Sequence, residues 1–374
     1  MRVQIGDICT TFSGFTPAAD DLFQAGKYPY FKVAEMNREA NLRVMTETDS
    51  YVRESRKFFP KDAIVFPKNG AAIATNKKRI LGQDSIVDLN TGGVRANEDL
   101  VETNYLYYVF QNIDFAQFIR RGAVPTLDLK SILALKIDLP TLPTQQRIVA
   151  ELDLLSGIIE KKNAQLHTLD ELAITIFYEM FGNPVSNDKV WDSEKMKDIA
   201  PQKAYSGHIP TNNGMQWLLN LDMVESQTGK IIEKVLFSSA DIGNSTTTFN
   251  EDNILYSKLR PYLNKVVIPD EPGYCTSELV PLLPKKGVIN RIFLAYLLRS
   301  KFFVDYINTR VAGAKMPRVT MSDFWEFDII IPPLKLQESF AEKISAIEKQ
   351  KSLIRTSLSP AENLLTARMD KYFC

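Results

Sequence analysis

TQQRIVAELDLLSGIIEKKNAQLHTLDELAITIFYEMF, residues 144–181, decides how this chain is built. Within it Ile148, Leu152, Leu155, Ile159, Lys162, Leu166, Leu169, Ala173, Ile176 and Met180 fall alternately four and three residues apart, and all but Lys162 are apolar. A mean step of 3.5 residues is the heptad period, which aims an apolar seam at a partner helix rather than at a broad core. Pro143 and Thr144 supply the start, and Gly182 with Pro184 the stop. At 1.5 Å per residue the predicted helix reaches about 57 Å.

The same stretch is written a second time. Adding 192 to Pro125, Pro140, Gln145, Leu152, Leu155 and Phe181 gives Pro317, Pro332, Gln337, Ile344, Ile347 and Phe373. A second helix is therefore predicted over residues 336–373, with Phe340, Ile344, Ile347, Lys351, Ile354, Leu358, Ala361, Leu365, Arg368 and Tyr372 on the same spacing. Pro360 interrupts it, and Ser359-Pro360-Ala361-Glu362 reads as a capping box, so a kink or restart is expected there. The most economical partner for each stripe is the other, as an antiparallel coiled coil. Its seam would comprise Ile148, Leu152, Leu155, Ile159, Leu166, Leu169 and Ile176 from one helix, and Phe340, Ile344, Ile347, Ile354, Leu358 and Leu365 from the other. The order is then domain, helix, domain, helix, with expected limits 1–142, 143–183, 184–333 and 334–374. Such a repeat has approximate twofold symmetry, and duplex DNA read at two half-sites is the commonest ligand that matches it.

Each domain reads as α+β. Short β-type segments at residues 30–33, 63–66 and 86–89 are broken by turn residues, and an amphipathic helix is expected over 102–119. Phe249-Asn250-Glu251-Asp252-Asn253-Ile254-Leu255-Tyr256 answers Phe59-Pro60-Lys61-Asp62-Ala63-Ile64-Val65-Phe66, so a turn followed by a strand recurs 190 residues on. After the first of these strands come Lys68, Asn69, Thr75, Asn76, Lys77, Lys78 and Arg79. After the second come Lys258, Arg260, Tyr262, Asn264 and Lys265. Cations with interleaved polar and aromatic side chains suit phosphates and base edges, so these residues are the candidate DNA contacts. Two further pairs recur: the turns Ser13-Gly14-Phe15-Thr16-Pro17 and Ser206-Gly207-His208-Ile209-Pro210, and the basic loops at residues 120–125 and 310–317.

Charge argues the other way. Forty-five Lys and Arg balance forty-five Asp and Glu, so any nucleic-acid footprint must be local. Cys9, Cys275 and Cys374 are odd in number and far apart, which indicates reduced thiols rather than disulfides or a zinc site. The first residues lack a signal-peptide core and no run approaches 18 apolar residues, so a cytoplasmic protein with no membrane partner is expected.

Catalytic machinery is scarce. His167 and His208 are the only histidines, and the phosphate-loop, dinucleotide and nucleophile-elbow motifs are all missing. Asn183-Pro184-Val185 lacks the second proline and the aromatic of the Asn-Pro-Pro-aromatic motif of amino-methyltransferases, and serves better as a helix stop. The reading is a non-catalytic DNA-binding protein with no cofactor and no metal. The rivals are a stand-alone methyltransferase or nuclease with a degenerate site, and a scaffold whose domains bind protein.

Two lead-in segments carry a family likeness. Ile137-Asp138-Leu139-Pro140 runs through Pro143 and Gln145-Gln146-Arg147-Ile148-Val149 into the first helix, and Ile329-Ile330-Ile331-Pro332-Pro333-Leu334 runs through Gln337-Glu338 into the second. With them the chain resembles, over its full length, the specificity subunit of type I restriction-modification systems. That family usually has Glu-Gln where this chain has Gln145-Gln146 and Gln337-Glu338. The resemblance implies two target recognition domains, one per half of an interrupted asymmetric DNA target. It further implies two methyltransferase (M) subunits docked on the helices and restriction (R) motor-nuclease subunits joining them. S-adenosylmethionine and ATP would belong to those partners. Two domains on one face of DNA would place half-sites on the order of 10 base pairs apart.

Overall fold

A computed structural model describes all residues except 239, 240, 244, 314 and 374. Ala314 of the second basic loop and the Cys374 thiol thus lie outside the described residues. The chain forms two compact units, Met1–Lys162 with Ser357–Cys374, and Asn163–Thr356. Each is mixed helix and sheet.

Two 40-residue helices, Leu142–Phe181 and Leu334–Phe373, start and stop 192 residues apart. Both begin two residues before the expected start: Pro143 is tolerated in a first turn whose N–H groups have no intrahelical acceptor, and Pro333 stands just ahead of the second helix, its carbonyl accepting from Leu336 N–H at 2.8 Å. The expected restart at Pro360 does not occur, and the helix runs through it unbroken. A proline removes one N–H···O=C bond, and bonds to the partner helix hold the turns on either side. Lys162 Nζ donates to Ser357 Oγ at 2.6 Å, and Arg368 pairs with Glu151 at 2.8 Å.

Within the first unit the paired segments are antiparallel: Glu151 meets Arg368 and Tyr372, while Lys162 meets Ser357. Within the second unit Asp170 meets Lys351 at 2.6 Å, while Phe177 and Phe181 meet the Phe340 ring at 5.6 and 5.3 Å. The expected seam positions all lie on the less exposed face of their helix. Lys351, a cation on that stripe, is buried and satisfied by Asp170 and Glu348, each at 2.6 Å.

In the first unit a five-stranded sheet has the order Cys9–Ser13, Thr91–Ala96, Ile64–Pro67, Arg79–Leu81, Val44–Met45. A three-stranded sheet has the order Tyr51–Val52, Tyr28–Phe31, Ile86–Val87. In the second unit a four-stranded sheet runs Leu236–Ser238, Met215–Leu219, Gly273–Thr276, Thr246–Phe249, and a three-stranded one Val266–Val267, Ile254–Ser257, Leu279–Leu282. Each unit also pairs the first strand of its domain with the last: Arg2–Gln4 lies antiparallel to Lys136–Asp138, and Ser193–Lys195 to Asp328–Ile330.

The helix expected over 102–119 spans Thr103–Asn112 only, followed by a short 3-10 turn at Phe115–Phe118. Side chains capture the backbone there. Asn76 Oδ1 accepts from Phe115 N–H and Asp114 accepts from Ala116 N–H, both at 2.9 Å, which starts a new element instead of extending the old one.

One buried glutamine fastens each domain to its long helix. Gln145 accepts from Glu102 N–H at 2.8 Å and donates to the carbonyls of Leu100 (3.0 Å) and Pro140 (2.9 Å). Gln337 accepts from Asn290 N–H at 2.8 Å and donates to Val288 (3.1 Å) and Pro332 (2.7 Å). Glu102 and Asn290 are the N-caps of Thr103–Asn112 and Arg291–Arg299, so the amide ties the first turn of the domain helix to the lead-in of the long one.

Candidate nucleic-acid interface

The two basic loops grow out of equivalent strands, Ile64–Pro67 and Ile254–Ser257, and each leads to a 3-10 turn, Ala71–Thr75 or Pro261–Leu263. Each is pinned at two points by the hairpin that carries the other recurrent basic loop. Gly70 N–H donates to Pro125 O at 2.8 Å and Leu127 N–H to Lys68 O at 2.8 Å. In the second unit Arg260 N–H donates to Pro317 O at 2.7 Å and Val319 N–H to Lys258 O at 2.8 Å. The hairpins pair Ile119–Arg120 with Thr126–Leu127, and Val311–Ala312 with Arg318–Val319. So the structure brings together, in each unit, two basic loops that are about 55 residues apart in sequence.

The predicted contact residues divide by exposure. In the first unit Thr75 is exposed, its hydroxyl on Ala72 O at 2.6 Å, while Lys68 and Asn69 are partly exposed. Lys68 Nζ donates to Ser13 Oγ, which draws the opening turn beside the loop, and burial lowers the pKa of its ammonium while Asp88 pulls it back up. Asn69 donates to Leu89 O at 3.3 Å, and Lys77 reaches Asn37 Oδ1.

Lys78 and Arg79, expected on the surface, lie inside. Lys78 has no exposed area; its Nζ donates to Asn76 Oδ1 (2.6 Å) and Ile113 O (2.7 Å) and sits 4.1 Å from the Phe115 ring centre. Burial pushes its pKa down to about 7, against the pull of Asp114. Arg79 is spent on the carbonyls of Lys78 and Met36 at 2.8 and 3.2 Å. Asn76, left-handed at φ 53°, supplies acceptors to this interior rather than a surface.

In the second unit Tyr262 is half exposed, while Lys258 and Arg260 are partly exposed and their side-chain cations have no hydrogen bond or ion pair among the described residues. Asn264 is buried and donates to Arg299 O at 2.8 Å. Lys265 reaches Leu221 O at 2.6 Å, and burial lowers its pKa.

Sequence reading missed a cleft of about 760 Å³ in the second unit, lined in part by Phe177, Tyr178, Tyr262, Tyr296, Arg299 and Lys351. The corresponding cleft of the first unit, about 310 Å³, contains Arg43, bonded to Asp153 at 2.6 Å, beside Tyr107 and Tyr108. No sequence signal marks Arg43 and Asp153 as partners. Cys9 and Cys275 are free thiols, each pushed up to about 12 by burial. Among the described residues no group of three or more His, Cys, Asp or Glu could hold a metal, and no helix is long and apolar enough to cross a membrane.

Against known proteins, the family model described as type I restriction modification DNA specificity domain matches residues 1–168 and 222–362, which include both lead-ins and both pinned loops. The chain belongs to this family. Among curated relatives, the type I restriction enzyme EcoDI specificity subunit of Escherichia coli is 24% identical over 321 residues, covering 73% of this chain and 70% of that protein. The MjaVIII specificity subunit of Methanocaldococcus jannaschii is 24% identical over a 400-residue alignment, covering 97% and 91%. The crystal structure of the type I S subunit from M. genitalium matches with a TM-score of 0.61 at 14% identity, covering 100% of this chain and 96% of that one. The present chain therefore has the S-subunit fold, α+β with two long helices.

Proposed function

We propose that this S-family chain is the DNA-reading subunit of a type I restriction-modification complex. Each domain, residues 1–142 and 184–333, reads one half of a bipartite asymmetric target, and the helices at 143–183 and 334–374 dock two M subunits. R subunits join that assembly, and methylation and cleavage are carried out by the partners. The repetition of the pinned loop supports this reading most. In both units a lysine, Lys68 or Lys258, follows the same strand on a loop locked to a second basic hairpin. Rigid backbone with a cation at its rim suits phosphate contact, and unlike residues beyond the lysine suit unlike half-sites. The paired helices set the spacing of the half-sites, on the order of 10 base pairs.

The co-expressed complex with its methyltransferase tests this. Lys68→Ala and Lys258→Ala should each weaken binding of all sequences alike and make the salt dependence shallower by about one unit of slope. Affinity and slope unchanged in the double variant would remove the loops from the interface. Methylation by the purified chain alone, given S-adenosylmethionine and DNA, would favour the enzyme reading instead.

A further inference from the structure

We propose that Arg260 reads a guanine in the half-site of the second domain, a role with no counterpart in the first. The inference rests on the DNA-reading function above. Lysine stands in both loops, at 68 and 258, but the residue that donates its N–H to the hairpin proline is glycine in one unit and arginine in the other: Gly70 on Pro125, Arg260 on Pro317. Both take positive φ, 78° for Gly70 and 49° for Arg260. Glycine adopts positive φ freely, whereas an arginine there is strained. Arg260 carries a second cost. Its Nε is buried without a hydrogen-bond partner, and its guanidinium meets no carboxylate among the described residues.

Strain and an orphaned donor on one residue are worth keeping only if the side chain finds an acceptor elsewhere. Phosphates occur at every position of every DNA, so a phosphate contact would be equally useful in both loops, as the two lysines are. A side chain present in one repeat and absent from the other fits a contact that only one half-site offers. The guanidinium fork matches guanine O6 and N7 in the major groove. The loop that presents it is held by Arg260 N–H on Pro317 O at 2.7 Å and by Leu263 N–H on Arg260 O at 2.9 Å, so the fork springs from a fixed base.

The test is binding and methylation by the reconstituted complex on oligonucleotides substituted one base pair at a time. Arg260→Gly should lose discrimination at a single G·C pair of one half-site by roughly ten- to a hundredfold, with other positions unchanged. Its unfolding midpoint should match or exceed that of the parent, since glycine relieves the positive φ. Arg260→Lys, which keeps the charge but not the fork, should show the same local loss while retaining most affinity for non-specific DNA. Uniform weakening across all sequences with a shallower salt dependence would overturn the proposal in favour of a phosphate contact. Unchanged discrimination in both variants would overturn it outright while leaving the DNA-reading function intact. A parent complex without any sequence preference would overturn both readings.

Discussion

The lead-in to each long helix and the loop that follows Ile64–Pro67 or Ile254–Ser257 both recur in the two units, yet they keep different things. Gln145 and Gln337 make the same three hydrogen bonds to equivalent groups. The loops keep their pins, and Lys68, Asn76 and Lys77 recur as Lys258, Asn264 and Lys265, but other side chains change, Gly70 for Arg260 and Lys78 for Val266 among them. A buried amide surrounded by backbone partners has no freedom to vary, because any change leaves an N–H and two carbonyls unpaired. A loop whose backbone is held by backbone leaves its side chains free. The frame is therefore shared, while part of the loop surface is particular to each unit.

The packing beside the glutamines differs too, and offers the strongest test. In the second unit Phe181 and Phe293 meet at 4.6 Å and both reach Phe340 or its neighbour Phe177. At the corresponding place the first unit has Tyr105 against Phe373 at 5.3 Å and Ile148 where Phe340 stands. Phe340→Ala should cost about 3–5 kcal/mol and Ile148→Ala about 2–5 kcal/mol, with the phenylalanine the larger loss in chemical denaturation. Equal losses would show that the aromatic cluster adds nothing beyond burial. Next in size, Gln145→Leu and Gln337→Leu should each cost roughly 1–3 kcal/mol, and the two should agree closely. A clear difference between them would break the claim of a shared frame.

A dependence on pH separates the cores. Lys78 has no exposed area, and Val266, the residue 188 positions later, is buried too. Because burial lowers the ammonium pKa from 10.5 to about 7, the unfolded chain holds more protons between those values. Stability should therefore rise as pH climbs from about 7 toward 10.5, and Lys78→Val should flatten that rise. A pH profile identical in the two proteins would mean that the ammonium stays charged in its cage of Asn76, Ile113 and Phe115.

The long helices were legible because their apolar residues repeat over five heptads, and a period is visible without knowledge of what covers it. In the domains the α+β class and the strands near residues 30, 64 and 86 were legible too, as Tyr28–Phe31, Ile64–Pro67 and Ile86–Val87 show, but the other strands, of two to six residues, carry too few alternations to register. The stop at Ile113 escaped because Asn76, far away in sequence, captures the next N–H. Lys78 and Arg79 look like surface cations in any sequence, and their burial depends on acceptors at Ile113 and Met36 that no local pattern announces. Arg260 was legible as a cation; its positive φ and unpaired Nε were not.

Strand Arg2–Gln4 lies against Lys136–Asp138, and Ser193–Lys195 against Asp328–Ile330. Each globule thus leaves by the doorway through which it came in. A cassette of that kind can be lifted out and another dropped in without lengthening or twisting the stem that follows, provided the two-stranded threshold is kept. If each globule reads one half-site as proposed, exchange of a whole globule changes the target in a single step and leaves the stem as it was.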